Sequence, residues 1–289
     1  MSLEEGRRPG MASKGGTAPL CNPPGTRGGE SGRRHSPIQP PRVVLVASLL
    51  AAFLGAWAWI ASLGSVDDLL VASPGETVQA LRDDWALLAD NALITLYEVL
   101  LGLAIAVAVG VAFAVAMHLS RALREAAYPL LVASQAIPIV VLAPIFVLAF
   151  DYGIGPKIAI VALICFFPIT VNMLDGLRSV DPGHLSLMRS FGASRLRTLR
   201  AVELPAALPG FFSGLRIAAT VSVIGAVFGE WAGADDGLGR LVLLGNDQLQ
   251  TPRVYAGIVI LTLMAVALFA LASLAERIAC PWNQDERTV

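Results

Sequence analysis

Charge is scarce in this chain, and that scarcity determines its class. Only 15% of the 289 residues are charged and 55% are hydrophobic, whereas soluble domains carry about 25% charged residues. The net charge of −1 says little, because the charged residues are concentrated in a few segments. A composition of this kind excludes an ordinary soluble domain and indicates an integral membrane protein.

Reactive side chains are equally few. The three cysteines, Cys21, Cys165 and Cys280, have the spacing of neither a disulfide framework nor a metal site, so we expect free thiols. The three histidines are too scattered to indicate a metal site or a catalytic triad. Neither of the two lysines, Lys14 and Lys157, belongs to the Gly-Lys-Ser/Thr sequence of a phosphate-binding loop. We therefore expect no catalytic residue, no metal site and no bound cofactor in this chain, which cannot itself be a P-loop ATPase.

The first 42 residues differ from the rest of the chain. They contain eight glycines, seven prolines and seven basic residues. Such a segment cannot bury enough apolar surface to offset the entropy lost on ordering. We expect residues 1–42 to be a disordered cytoplasmic tail, within which Met11 is an alternative start site.

Six apolar runs follow, each long enough to cross a hydrocarbon core of about 30 Å as a helix. The runs lie at residues 43–64, 92–117, 128–150, 158–175, 210–230 and 254–275. The first is longer than the core of a signal peptide, so we expect an uncleaved span. Pro138, Pro144 and Pro168 lie inside spans, where they should kink the helices. The expected fold is all-α, with a six-helix membrane domain at 43–280 and a tail at 281–289.

The basic residues favour one orientation of these spans. With the N-terminus in the cytoplasm, the inside segments hold 16 lysines and arginines and the outside segments hold four. The positive-inside rule then places both termini and the segment 176–209 in the cytoplasm. The predicted location is a cell membrane, crossed several times.

The cytoplasmic stretch between the fourth and fifth spans includes RSFGASRLRTLRAVELPAALPG. Gly192 suits the position just after a helix, where φ is positive, and Ser194 can cap a second helix. Leu204 precedes Pro205, which favours extended geometry, so the second helix is expected to end there, and Pro209 can begin the next span. Two interpretations remain from the residues alone: a basic loop lying on anionic headgroups, or an element that contacts a partner.

The spacing of Gly192, Val202 and Leu204-Pro205 resembles the conserved cytoplasmic loop of the membrane-spanning subunits of binding-protein-dependent ABC importers. The resemblance covers about residues 85–280, and it implies a coupling helix that docks in a cleft of a cytoplasmic ATPase. Where the family has an acidic residue six positions before the glycine, this chain has a serine. The implied coupling residues are Ser186, Arg189, Gly192, Ala193, Val202, Leu204 and Pro205.

The same resemblance implies an assembly. We expect a homodimer around a central pathway in the lipid bilayer, ABC ATPase subunits that bind ATP inside, and an extracytoplasmic solute-binding protein. We expect no nucleic acid among the partners. The segments TLYEVLLG, SQAIPIVVLAP, CFFPITVNMLDGLRSVDP and GEWAGADDGLG resemble the nitrate, sulfonate and taurine importers, and most closely the permeases for thiamine-precursor pyrimidines. Riboflavin, sulfonate, taurine and nitrate are the alternative substrates.

Charged and proline-broken segments within the spans supply candidate pathway residues. Glu98 either lines the pathway or extends toward the outer face, and Asp175 and Arg216 can form a structural pair. Glu230 and Trp231 close the fifth span, either in an interfacial belt or as a gate. Discontinuous helices often line transport pathways. The candidate pathway residues are Glu98, Gln135, Pro138, Phe167, Glu230 and Trp231.

Two other function classes fit the chain less well. A secondary transporter that works without ATP would favour intramembrane acidic relays and inverted repeats, and we find no convincing repeat. A membrane enzyme would need clustered His, Asp or Glu at one membrane face, and the sequence shows no such cluster. The preferred function is therefore a transport subunit rather than an enzyme: a permease of an ATP-driven importer.

Overall fold

The computed structural model describes residues 42–62 and 71–283. The predicted tails lie almost wholly outside these residues, and so does Cys21. By its contacts the chain forms two units, Met1–Ala47 and Ser48–Val289. The helices described below belong to the second unit, apart from the start of the first helix.

The described residues are mostly helical and contain no strand, which confirms the all-α class. A π-helical turn, Leu199–Glu203, joins two of the helices, and a 3₁₀ turn, Pro281–Asn283, follows the last one. In chain order the helices are α1 (Arg42–Ser62), α2 (Pro74–Asp83), α3 (Trp85–Leu119), α4 (Arg121–Ser134), α5 (Ile139–Phe150), α6 (Ile154–Arg178), α7 (Pro182–Ser190), α8 (Arg195–Thr198), α9 (Leu204–Trp231), α10 (Leu238–Asp247) and α11 (Thr251–Ala279).

Five helical segments of the described chain are long and apolar enough to cross a membrane. They are α1, α3, α6, the continuous helix Arg195–Trp231, and α11. Helices α4 and α5 pass the same test as a pair bent by 104°, and as one broken span they bring the number to six. The third span is therefore broken at Pro138, where the sequence predicted a kink. The chain turns before Pro138, which has no amide N–H and restricts the backbone of the residue before it.

Helices α3, α6 and α9 form the core of the bundle, together with one face of α11. Lipid tails are as apolar as the helix surfaces, so close packing rather than the hydrophobic effect holds such helices together. Small residues permit this approach: a Cβ at Gly102 would overlap Val161, and a Cβ at Gly214 would overlap the carbonyl of Pro168. Cys165 is buried in this core as a free thiol, as expected.

The antiparallel helices α6 and α9 give the bundle two ends. We call the end with α7 and α8 the loop end, and the end with α10 the capped end. Helix α3 contacts both α6 and α9, and its 35 residues extend about 50 Å. It therefore joins the two ends of the bundle.

Helix α2 begins with a complete capping box. The Glu76 N–H donates to the Ser73 hydroxyl at 3.2 Å, and the Ser73 N–H donates to the Glu76 carboxylate at 2.8 Å. The backbone N–H and then the hydroxyl of Ser73, both donating to this carboxylate, lower the pKa of Glu76 below its ordinary value of 4.5. Arg253 on α11 binds both oxygens of Asp84, at 2.7 and 3.1 Å, and fastens the end of α2 to α11.

The helix at the loop end does not stop where the sequence predicted. Leu204 has φ −63° and ψ −48°, so it is helical rather than extended. Pro205 lies in the first turn of α9 instead of ending a helix, and Pro209 lies inside α9 instead of beginning it. The π turn gives the reason: the Leu204 N–H bonds to the carbonyl of Leu199, five residues back. The extra residue widens the turn and relieves the clash that a proline ring makes in a regular α-helix.

Candidate functional site

The basic loop, residues 179–203, turns sharply at Gly192. This glycine has φ +69°, and a Cβ there would meet no atom within 4 Å. The Gly192 N–H bonds to the Arg189 carbonyl at 2.9 Å, and the Ala193 N–H bonds to the Met188 carbonyl at 3.0 Å. These two bonds and the positive φ make a Schellman motif, which confirms the predicted end of the first loop helix.

The surface of the basic loop is exposed and partly apolar. Ser194 begins α8 as predicted, because its hydroxyl accepts a hydrogen bond from the Arg197 N–H at 3.4 Å. Nearby, Leu187, Phe191 and Leu196 are 53%, 78% and 52% exposed. Large apolar side chains that protrude together from a polar surface mark a site of contact with a partner or a membrane.

The remaining predicted coupling residues form two groups. Ser186 and Arg189 are exposed on α7, and the Ser186 hydroxyl bonds to a carbonyl of its own helix at 2.9 Å. Val202, Leu204 and Pro205 are half-buried at the π turn and the start of α9. Leu204 and Pro205 of the second group border a mostly apolar cavity of about 360 Å³. This cavity is lined by Val111, Met173, Arg200, Leu204, Pro205, Leu208 and Phe211.

At the capped end, four buried side chains and the half-buried Asn91 form a cluster that we call the buried polar cluster: Asn91, Thr95, Glu98, Lys157 and Glu230. Lys157 Nζ donates to Glu98 Oε1 at 2.7 Å, and the two side chains are only 10% and 1% exposed. The Thr95 hydroxyl donates to Glu230 Oε1 at 2.6 Å. Glu98 is therefore buried in the bundle. An ion pair at this depth avoids the large cost of burying either charge alone.

The cluster caps α10. A helix begins with backbone N–H groups that have no partner within the helix, and its N-terminus carries a partial positive charge. Here the N–H groups of four successive residues each bond to a side chain of the cluster. These bonds join Gly237 to Asn91 at 2.8 Å, Leu238 to Thr95 at 2.9 Å, and both Gly239 and, at 3.2 Å, Arg240 to Glu230.

The glycine-rich segment GADDGLG is explained by this cap. Gly237 has φ +122°, and a Cβ at Gly237 or at Gly239 would overlap the Glu230 carboxylate. The glycines therefore let the backbone close around a buried anion. Trp231 belongs to the same end of the bundle, since its Nε1 donates to the Gly239 carbonyl at 2.9 Å.

The structure brings together only some of the predicted pathway residues. Glu98 and Glu230 belong to the buried polar cluster. Gln135 and Pro138 are exposed at the break between α4 and α5, and Phe167 is half-buried on α6. The predicted set is therefore spread over three places: the capped end, the break between α4 and α5, and α6.

The expected pair between Asp175 and Arg216 does not form. Arg216 instead binds the carboxylate of Glu276 and, at 3.1 Å, the hydroxyl of Ser213. The reason lies in the packing, since Arg216 faces α11 whereas Asp175 is exposed on α6. The correct partner is 60 residues away in the sequence.

Sequence reasoning missed Asn91, Thr95 and Lys157. A signal for the first two was available, because Asn91, Thr95 and Glu98 follow an i, i+4, i+7 pattern that places them on one helix face. A polar face on an otherwise apolar span indicates buried polar contacts. Lys157 was assigned to a loop, but it lies inside the first turn of α6.

Comparison with known proteins identifies the family. Residues 104–279 match the family model described as binding-protein-dependent transport system inner membrane component. A probable ABC transporter permease protein of Haemophilus influenzae is 40% identical over 221 residues, which cover 76% of this chain and 90% of the relative. The formylaminopyrimidine transport permease protein ThiX of Halalkalibacterium halodurans is 42% identical over 192 residues, 66% of this chain and 77% of the relative.

Two further similarities are weaker. The riboflavin transport system permease protein RibX of Chloroflexus aurantiacus is 37% identical over 163 residues, 56% of this chain and 61% of the relative. The crystal structure of an amino acid ABC transporter with histidines has a TM-score of 0.54 and 20% identity over 69% of this chain and 97% of that one. The second similarity supports the fold alone. The family match spans more than half of the chain, so the chain belongs to the inner membrane components of binding-protein-dependent transport systems: it is a multi-pass permease subunit of an ABC importer.

Proposed function

We propose that this permease forms the solute pathway of an importer for a thiamine-precursor pyrimidine, and that the basic loop docks on a separate ATPase. The docking proposal is supported by the exposure of the loop and by its direct connection to α9. Its exposed helices meet at Gly192, and α8 continues through the π turn into α9 as one helix, Arg195–Trp231. A force applied to the loop therefore reaches a spanning helix through hydrogen-bonded helical backbone.

The orientation is part of this proposal. The excess of basic residues, 16 against four, supports a cytoplasmic basic loop and cytoplasmic termini. A cysteine introduced at Asp247 should then react with an impermeant maleimide added outside the cell. A cysteine at Asp181 should react only after the membrane is opened. The reverse pattern would refute this orientation.

The docking proposal is tested by Gly192→Leu. A non-glycine residue at positive φ adds about 1–2 kcal/mol of backbone strain, and leucine would add bulk to the docking surface. The matched control is Gly153→Leu, because Gly153 also has positive φ, +142°, and nothing within 4 Å, but lies between α5 and α6. We expect both variants to reach the membrane and only Gly192→Leu to lose ATPase co-purification and uptake. Equal losses in both would indicate strain alone, and normal association in Gly192→Leu would refute docking.

The pyrimidine substrate is supported by the 42% identity to a formylaminopyrimidine permease. Riboflavin is the second candidate, favoured by the 37% identity to a riboflavin permease. Membrane vesicles that contain the complete importer should take up labelled formylaminopyrimidine in an ATP-dependent manner, and should take up riboflavin and taurine far more slowly. Faster uptake of riboflavin would favour the second candidate.

We also propose which subunits form the complete importer. Two copies of this chain would enclose the pathway in the lipid bilayer, with ATPase subunits inside and a solute-binding protein outside. ATP would bind to the ATPase, and this chain would hold no cofactor. The family supports these partners. The mass of the detergent-extracted complex measures the stoichiometry, and a complex with a single permease copy would refute the homodimer.

A further inference from the structure

The loop end of α3 is fastened to the helix that leaves the basic loop. His118 Nε2 lies 3.0 Å from Glu203 Oε2, and the two side chains are only 15% and 12% exposed. The Arg195 guanidinium donates to the carbonyl of Leu119, the last residue of α3, at 2.7 Å. These contacts join residues 85 and 76 positions apart. They are tertiary contacts between two helices and not local features of one.

Glu203 alone orients the imidazole ring. The other ring nitrogen of His118, Nδ1, is buried and has no hydrogen-bond partner among the described residues. An unpartnered polar atom at a buried site is tolerated only if the remaining contact outweighs its cost. The ring is therefore held by its bond to the Glu203 carboxylate.

The contact between His118 and Glu203 lies at a weak point of the helix that leaves the basic loop. Glu203 ends the π turn, directly before α9. A π turn followed by a proline is a weak point in a helix, because the regular backbone bonds are displaced and Pro205 donates none. Without a brace, a force on α7 and α8 would bend the helix at this turn instead of moving α9.

The same two helices are joined again at the capped end. There the Thr95 hydroxyl of α3 donates to the Glu230 carboxylate of α9 at 2.6 Å, and both side chains are buried. Helices α3 and α9 are thus linked by polar side chains near both of their ends. Two links far apart along a pair of packed helices oppose sliding and rotation of one helix against the other.

We propose that His118 and Glu203 are positioning residues that brace the π turn, so that a displacement of the basic loop moves α3 and α9 as one body. This proposal rests on the docking of the ATPase on the basic loop. Glu203 is the last residue of the basic loop, but its side chain and that of His118 are only 12% and 15% exposed and bind each other. Their loss should therefore weaken the coupling between ATP hydrolysis and uptake and leave ATPase association intact.

The first test compares Glu203→Ala with Glu125→Ala. Glu125 provides a matched control because it pairs with Arg121 at 2.7 Å on the adjacent α4, but its side chain is 61% exposed, and exposed pairs contribute little. We expect normal membrane levels and ATPase co-purification for both variants. Formylaminopyrimidine taken up per ATP hydrolysed should fall about fivefold or more for Glu203→Ala and less than twofold for Glu125→Ala. Glu203→Gln retains an acceptor for His118 and should recover most of the loss.

The second test measures the motion directly and needs no solute. Nitroxides at Leu119 on α3 and at Ala206 on α9, both exposed, report the separation of the two helices at the loop end. In the complete importer this separation should change by less than about 1 Å between the nucleotide-free and ATP-bound states, and by about 2 Å or more in Glu203→Ala. If Glu203→Ala does not reach the membrane, His118→Ala is measured in its place with the same expectation.

The outcomes separate this proposal from the docking proposal. Normal uptake per ATP in Glu203→Ala, or a separation that changes on ATP binding in the unmodified protein, would overturn the brace while the Gly192→Leu result still supports docking. Loss of ATPase association in Glu203→Ala would also overturn it, since Glu203 would then act as part of the docking surface. Normal association in Gly192→Leu would remove the docking proposal itself.

Discussion

The two ends of the bundle hold their short helices in opposite ways. At the loop end, the turn between α7 and α8 is closed by bonds between near neighbours, such as Gly192 to Arg189, and apolar side chains such as Phe191 protrude. At the capped end, α10 is capped by Asn91 and Thr95, 146 and 143 residues away in the sequence, and by Glu230, 9 and 10 residues away; Glu230 and Thr95 are fully buried. The turn at Gly192 is closed within its own backbone and leaves its surface free, whereas the cap of α10 is made by side chains of two other helices.

Because of this difference, we expect substitutions at the loop end to affect function and substitutions at the capped end to affect stability. A loop whose backbone bonds are local can lose a surface side chain without loss of fold, so substitutions there should affect contacts with a partner. A buried cluster of charges has no such tolerance, because removal of one partner leaves the other unpaired in the bundle. Substitutions at the capped end should therefore reduce stability before any effect on transport can be measured.

Lys157→Met should produce the largest effect. It removes the partner of the buried Glu98 carboxylate, whose second oxygen already has no partner among the described residues, and breaking a buried pair in this way costs about 3–5 kcal/mol. Thermal unfolding of the detergent-extracted protein measures the loss. The double variant Glu98→Gln with Lys157→Met removes both charges and should recover a large part of it. A single variant as stable as the parent would show that Glu98 is not held as an anion by Lys157.

Phe191→Ala should weaken ATPase association and leave the stability of the protein unchanged. The side chain is 78% exposed, so its removal should leave the unfolding temperature unchanged. If it anchors the ATPase, association should weaken by about 2 kcal/mol, or about 30-fold, as measured by titration of the ATPase onto permease in nanodiscs. Phe269→Ala on α11, 46% exposed, is the matched control and should bind the ATPase normally. A fall in stability with unchanged association would place Phe191 among the structural residues.

The contrast between the ends also decides what the sequence could predict. Gly192, Ser194 and the chain break before Pro138 follow from local backbone preferences, and all three are confirmed. The partner of Glu98 lies 59 residues away, and no local preference selects it. The expected helix end at Leu204 was wrong because a preference of one residue is weaker than the bonds of a continuous helix that widens into a π turn. Local signals thus predicted the loop end better than the capped end.

Ser73→Ala tests the local type of cap on a helix outside the spans. The Ser73 hydroxyl accepts the Glu76 N–H at 3.2 Å, and loss of such a cap costs about 1 kcal/mol. Hydrogen exchange of the amides in Pro74–Asp83 should become about fivefold faster, with the exchange of α3 and α9 unchanged. Ser273→Ala is the control, since the Ser273 hydroxyl bonds to a carbonyl within α11 and caps no helix. Faster exchange throughout the bundle would show that α2 is not an independent unit.

The smallest expected effect is the acid sensitivity of the same cap. The Glu76 pKa lies below its ordinary value of 4.5, because the backbone N–H and the hydroxyl of Ser73 donate to the carboxylate. A carboxyl whose pKa is lower in the folded protein than in the unfolded chain adds stability that is fully present above 4.5 and is lost as the pH falls through the folded value. An exposed acidic group near a helix N-terminus contributes about 0.3–1 kcal/mol.

The exchange rates of α2 in the parent and in Glu76→Gln should therefore differ at neutral pH and converge in acid, after correction for the intrinsic pH dependence of exchange. A difference that stays constant with pH would show that the amide caps the helix as well as the carboxylate does, and that the charge of Glu76 adds nothing.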